Sequence, residues 1–237
     1  MNPLILILFV FLLFNIVGGG QPPFLLAALI ANPLLGICMV AAIIIGISIH
    51  EFSHALSAYR LGDPTAKLSG RLTLNPLSHL DQLGTLALLF IGFGWGKPTP
   101  FDPYNLKNVK RDSALISVAG AASNFLLAII LSIPYLFFYY SHSMTYTIDS
   151  IYFYVYPFIF FNVILGVFNL IPVAPLDGFK VLAGLLPKHW YEDFMQTEQY
   201  GIFILILLLV TGTIGRILLP IVSIILEHLV PGFQAPF

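Results

Sequence analysis

The chain has 237 residues, of which 58% are hydrophobic and only 9% charged, and its mean hydropathy is +0.93. Such a composition cannot cover a water-exposed surface with polar groups, which excludes a soluble globular domain. A formal net charge of -1 without a polybasic stretch excludes nucleic acid as a partner, and a single cysteine, Cys38, excludes an intramolecular disulfide and a cysteine-built metal site.

The chain opens on an apolar stretch, Met1 to Val17, with no Lys or Arg ahead of it. The Gly18-Gly19-Gly20-Gln21-Pro22-Pro23 that follows is a poor match to a small-residue cleavage site. It reads as a retained, short first span. From Phe24 to Leu61 a long second span carries Pro33 near its start, is apolar as far as His50, and then turns amphipathic up to Arg60. Gly, Pro, Asn and charged residues interrupt the segment from Gly62 to Asp112. Its one apolar run, Leu83 to Phe93, is too short to cross a bilayer as a helix and suits a re-entrant loop or hairpin. Ser113 to Tyr140 is a third span ending in Tyr135, Phe137, Phe138, Tyr139 and Tyr140, aromatic residues of the kind that settle at a headgroup boundary. A fourth, from Ile151 to about Leu186, is broken by Pro172 and Pro175. The last apolar stretch, Gly201 to Leu229, is interrupted at residues 211–216 and reads either as one long helix or as a tight pair. The expectation is an all-α membrane protein, a polytopic bundle of about five to six transmembrane helices with a re-entrant element. Residues 1–237 form one integral membrane domain with its core at about 34–187.

Of the ten Lys and Arg residues, seven lie between the second and third spans (Arg60, Lys67, Arg71, Lys97, Lys107, Lys110 and Arg111), and Lys180 and Lys188 follow the fourth. The connection Ser141 to Ser150 has none. The positive-inside rule therefore puts the basic segments and the N-terminus in the cytosol.

His50-Glu51-Phe52-Ser53-His54 is an H-E-x-x-H on a predicted helix. At 3.6 residues per turn the two imidazoles lie one turn apart on one face, where both can reach a single Zn2+. Glu51 beside them can take a proton from the metal-activated water, as the motif does in metalloproteases. Three ionisable residues on one span are expensive in lipid, which itself marks a functional site. Catalytic zinc takes three protein ligands plus water, so a third must come from elsewhere. Asp177 is the best candidate, because Pro172, Pro175 and Gly178 break the span around it and let the chain enter a packed cavity. A helix N-cap after a proline turn is the plainer account of that aspartate.

These elements resemble the site-2 protease family of intramembrane metalloproteases. The likeness rests on His50-Glu51-Phe52-Ser53-His54 in an apolar helix, Gly120-Ala121-Ala122-Ser123-Asn124 in the next, Leu176-Asp177-Gly178 downstream, and the segment Gly70 to Asp81, which resembles the one after the family's metal helix. Together they cover about Ile49 to Gly184. The resemblance implies one zinc per chain held by His50, His54 and Asp177, and general acid-base work by Glu51. It implies a transmembrane protein substrate in the lipid bilayer. The chain is expected to be a compact form, with no room for the PDZ or CBS domain of some relatives, and the positive-inside argument places the active site of this multi-pass cell-membrane protein near the cytosolic side. Many relatives have proline where this chain has Ala121.

Other candidates are weaker. Asn124 is a candidate catalytic donor to the oxyanion, although asparagine in a membrane helix serves as often as interhelical glue. Asn169 is similar. His79 and Asp81 suit support behind the metal ligands, the lining of a substrate entry or a turn near Asn75-Pro76. His142, His189 and His228 read as structural, and Cys38 lies about 18 Å along the helix from His50, too far to ligate. The rival classes are a membrane cation or proton transporter using buried His and Asp, and a catalytically inactive binding scaffold. A transporter has no need of Glu51 between the histidines, and no internal inverted repeat accompanies it.

Overall fold

The computed structural model describes residues 24–91 and 94–235, so the first span expected at Met1 to Val17 lies outside the described residues. The elements are α1 (Phe24–Ala31), α2 (Pro33–Arg60), α3 (Thr65–Leu68), α4 (Gln82–Ile91), α5 (Val109–Tyr140), α6 (Tyr146–Asn169), α7 (Asp177–Leu185), α8 (Lys188–Gln196), α9 (Gly201–Val210) and α10 (Thr213–Leu229). No strand occurs among the described residues beyond one isolated antiparallel bridge, Leu80 to Gly96.

The expected span Phe24 to Leu61 divides at Asn32-Pro33. The Asn32 side chain accepts from the Leu35 N–H at 3.1 Å and Pro33 takes the first helical turn, where its missing N–H costs nothing. Gly36 lets α1 lie close, since a Cβ there would sit 2.6 Å from the Leu29 Cα. The third span begins earlier than expected, at Val109, because the Asn108 side chain caps it by accepting from the Arg111 N–H at 3.1 Å. The fourth begins at Tyr146, capped by Thr145, and ends at Asn169. The short apolar run expected to re-enter is helical as far as Ile91. The last stretch is a pair. Gly212, with φ of 68°, takes the left-handed turn between α9 and α10 that glycine adopts without a Cβ clash.

Among the described residues, four helical stretches are long and apolar enough to cross a membrane: Pro33–Arg60, Val109–Tyr140, Tyr146–Asn169 and Lys188–Val210, the last running through a 3-10 turn at 197–200. At 17 residues α10 lies at the lower limit for spanning.

At the centre α2, α5 and α6 pack on one another, with α7 against α5 and α10 against α6. Tyr156, Ile159, Val163, Leu218 and Val222 form an apolar core between α6 and α10. The distribution along α5 is the inverse of a soluble helix. Leu126, Ile129, Ile130 and Ile133 are exposed, whereas Ser117, Asn124 and Ser132 are buried. Apolar side chains outside and polar ones between helices suit a protein solvated by lipid, where polar groups gain by bonding to each other.

Candidate metal centre

His50 and His54 stand on one face of α2, both buried, their rings 4.5 Å apart and nearly perpendicular. What aims them is α5. Ile116, Gly120 and Asn124 recur at four-residue spacing and so line one stripe of that helix. The His54 Nδ1–H donates to the Ile116 carbonyl at 2.7 Å, and the His50 Nδ1–H donates to Asn124 Oδ1 at 2.7 Å. Gly120 lies between these contacts. A Cβ there would sit 2.5 Å from His54 Nε2 and 2.7 Å from His50 Cε1, so only glycine lets the backbone of α5 form the floor under both rings.

Asp177 reaches the same point from the far end of α6. After Asn169 the chain makes successive tight turns, Val173 N–H to Ile171 O at 2.8 Å and Leu176 N–H to Val173 O at 2.9 Å, with a cis Ala174-Pro175 peptide between. Gly178 permits the reversal, because a Cβ there would lie 2.2 Å from the Leu170 carbonyl oxygen. Asp177 is thus the first residue of α7, yet its side chain makes no capping bond. Its Oδ2 lies 3.0 Å from His50 Nε2 and 3.1 Å from His54 Nε2, and the two Nε2 atoms are 2.9 Å apart.

Because both Nδ1 atoms face acceptors, they carry the ring protons and both Nε2 atoms present lone pairs. Three acceptor atoms then converge with no hydrogen between them, and Asp177 Oδ2 is buried without a hydrogen-bond partner. Such an arrangement repels itself unless a cation sits within it. A tetrahedral zinc with bonds of roughly 2.0–2.1 Å has edges of about 3.3 Å, close to the three separations. Residues His50, His54 and Asp177 therefore fit a metal ion, and they are the one such group among the described residues.

Glu51, next to His50, is fixed from another direction. Its Oε2 accepts from the Thr99 N–H at 2.7 Å and its carbonyl from the Thr99 hydroxyl at 3.1 Å. Thr99 lies between Pro98 and Pro100, neither of which has an N–H, so its amide is the donor this short extended segment can offer. The segment is held by the bridge from Gly96 to Leu80, by the Lys97 N–H donating to His79 O at 2.7 Å, and by the Arg71 guanidinium, which donates to the carbonyls of Ser78 and Lys97. Sequence reasoning passed over Thr99. Its signal was a lone donor between two prolines in a basic loop.

His79 and Asp81, whose roles the sequence left open, belong to the framework of this loop. The buried His79 donates from Nε2 to Thr73 O at 2.7 Å, and Asp81 accepts from the Gly84 N–H at the head of α4 at 2.8 Å. Asn124, a candidate oxyanion donor, has both amide hydrogens committed elsewhere, to Gly46 O at 3.0 Å and Asn162 Oδ1 at 2.8 Å, and it meets the site only as an acceptor for His50. Asn169 bonds back to Leu165 O at 2.9 Å, and His228 to Ile224 O at 2.7 Å.

A lipid-solvated α-bundle enclosing this donor set beside a glutamate is the architecture of a zinc metalloendopeptidase, and comparison with known proteins assigns the chain to one family of that class. The chain belongs to the site-2 protease family, peptidase family M50, whose model matches residues 139–211, the stretch that runs from the end of α5 through Asp177 to α9. It is 35% identical to the candidate zinc metalloprotease YwhC of Bacillus subtilis (strain 168) over 84% of this chain and 92% of the relative. The candidate zinc metalloprotease Rip2 of Mycolicibacterium smegmatis is 30% identical over 76% of this chain and 69% of its own length, and Rip2 of Mycobacterium tuberculosis is 26% identical. No solved structure matches the chain.

Proposed function

We propose that this metalloendopeptidase hydrolyses peptide bonds of transmembrane or membrane-adjacent protein segments, with His50, His54 and Asp177 as the zinc ligands and Glu51 as the general base. The observation that carries the reading is the convergence of two bare imidazole nitrogens and an unpartnered buried carboxylate oxygen within about one zinc-site edge of one another. Zinc bound there supplies Lewis-acid polarisation of the scissile carbonyl and lowers the pKa of water. Glu51, its free rotation removed by Thr99, takes a proton from the attacking water and then delivers it to the leaving amine. The substrate is locally unwound, since an α-helix engages its carbonyls internally. Asn124 serves as a positioning residue for His50, and residues 1–237 act as one membrane domain.

The positive-inside rule favours an active site on the cytosolic side of the cell membrane. His54 lies six residues, about 9 Å along the helix, from Arg60, where the lysine- and arginine-bearing segment begins.

The test uses the purified protein with a membrane-protein substrate. Glu51→Gln retains zinc and loses cleavage by about 10²-fold or more, because the amide keeps the shape but not the base. Asp177→Ala loses zinc and activity together. Parental cleavage by Glu51→Gln, or full zinc occupancy in Asp177→Ala, refutes the corresponding role.

A further inference from the structure

Behind the metal centre runs a chain of hydrogen bonds that ends on a residue of α6. Asn162, fully buried, donates from Nδ2 to the Phe158 carbonyl at 2.8 Å, and its Oδ1 accepts from Asn124 Nδ2 at 2.8 Å. Asn124 Nδ2 also donates to Gly46 O at 3.0 Å, and Asn124 Oδ1 accepts from His50 Nδ1 at 2.7 Å. We infer that Asn162 is a positioning residue of the metal centre, acting through Asn124 to hold His50 in the tautomer and orientation a metal requires. The inference rests on the reading of His50 as a ligand.

The reasoning is one of forced choices. A backbone carbonyl can only accept, so the one at Phe158 requires the amide nitrogen of Asn162 on its side and turns Oδ1 toward Asn124. Facing that oxygen and the Gly46 carbonyl, Asn124 must present its nitrogen, whose two hydrogens the pair consumes. The oxygen of Asn124 is then left for His50, which must protonate Nδ1 and leave Nε2 bare. A flipped Asn124 would set its oxygen against two others and offer hydrogens to His50, moving the ring proton to Nε2 and abolishing the ligand. Partners that fix the tautomer of a metal-bound histidine are worth about 10–100-fold in metal affinity. Helix packing is adapted to the link: Gly46 leaves the gap through which Asn162 approaches, for a Cβ there would lie 3.3 Å from Asn162 Oδ1 and 2.7 Å from Leu165 Cδ1.

A structural bond between α5 and α6 would stabilise the bundle without governing the metal, so the test reads zinc affinity and its coupling. Zinc competition against a chromophoric chelator is measured on the purified full-length protein. The variants are Asn162→Leu, Asn162→Ser, Asn124→Leu, the double variant Asn124→Leu/Asn162→Leu, and His50→Ala. Asn162→Ser, whose short hydroxyl bonds back to Phe158 and cannot reach Asn124, carries the test if Asn162→Leu fails to fold. Each asparagine substitution is expected to weaken zinc roughly tenfold, and the double variant to be no weaker than Asn124→Leu, because Asn162 then has nothing to act through. Parental affinity in Asn162→Ser overturns the inference, as does a double variant whose loss is the product of the single losses. His50→Ala separates the two readings. If it also binds zinc like the parent, the assignment of the ligands fails; if it alone loses zinc, the ligands stand and the role of Asn162 falls.

Discussion

At the scale of residues, the site depends on one atom that is absent. Gly120 is in the interior of α5, where alanine would ordinarily stabilise a helix by about 0.5–1 kcal/mol. Its Cβ, however, would lie 2.5 Å from both Cε1 and Nε2 of His54, far inside van der Waals contact. The rings cannot move away without breaking the bonds from Nδ1 to Ile116 and Asn124. Gly120→Ala is therefore expected to fold and to lose zinc. Metal analysis beside a thermal melt of the metal-free protein checks this, and a variant that keeps zinc at parental occupancy contradicts it. The same geometry explains why Asp177 is not merely a helix cap. Its oxygen faces two lone pairs and makes no capping bond to the N–H groups at the head of α7.

Among the elements, the segment between α2 and α5 is the one that has no long helix to order it, yet it must deliver Thr99 to Glu51. One buried carboxylate closes it. Asp63 accepts from the Thr65 N–H at 3.0 Å and its hydroxyl, from the Asp102 N–H at 2.8 Å and from Asn105 Nδ2 at 2.8 Å, joining the two ends of the loop. Burial raises its pKa, and the hydrogen bonds from Thr65, Asn105 and Asp102 overcome that and hold it below the ordinary carboxylate value. A depressed folded-state pKa gives stability that is fully present above the unfolded value, about 3.9, and is lost as pH falls through the folded one. Pepsin digestion of the detergent-solubilised protein is expected to cut within residues 62–106 faster as pH drops below about 4. In Asp63→Asn the cutting, measured relative to an unstructured reference peptide at each pH, is fast at the outset and nearly independent of pH. Equal pH dependence in the two proteins would remove Asp63 from this role.

For the whole molecule, α5 sets the vertical scale. Its 32 residues extend about 48 Å, enough to put its two ends in opposite interfaces of a bilayer. The basic loop leads into its first end and the uncharged connection 141–145 leaves its second. Single cysteines placed at Lys107 and at Ser143, in a variant lacking Cys38, are expected to differ in reactivity toward a membrane-impermeant thiol reagent applied to whole cells. Ser143 is labelled and Lys107 is protected, and the reverse pattern would put the active site on the extracytosolic side.

Much of this protein is determined by sequence-local physics. A mean hydropathy of +0.93 requires lipid, and prolines and side-chain caps fix where helices begin. The 3.6-residue period puts His50 and His54 one turn apart on one face whatever surrounds them. The exact break at Asn32 and the pairing of α9 with α10 were less legible, because Gly36 and Gly212 act through close approach and a left-handed turn rather than through composition. The rest is decided by contacts between segments far apart in the chain. Asp177, 127 residues after His50, reaches the imidazoles only because Gly178 lets the start of α7 lie against the Leu170 and Ile171 carbonyls just past α6, with α7 packed on α5. Residue type could not tell whether Asn124 faces the reaction or the histidine, since an amide both donates and accepts and its neighbours choose its direction. Thr99 and Asn162 carry no motif of their own. Their parts are set by which groups tertiary packing leaves opposite Glu51 and Asn124, and by the rule that buried donors and acceptors must find each other.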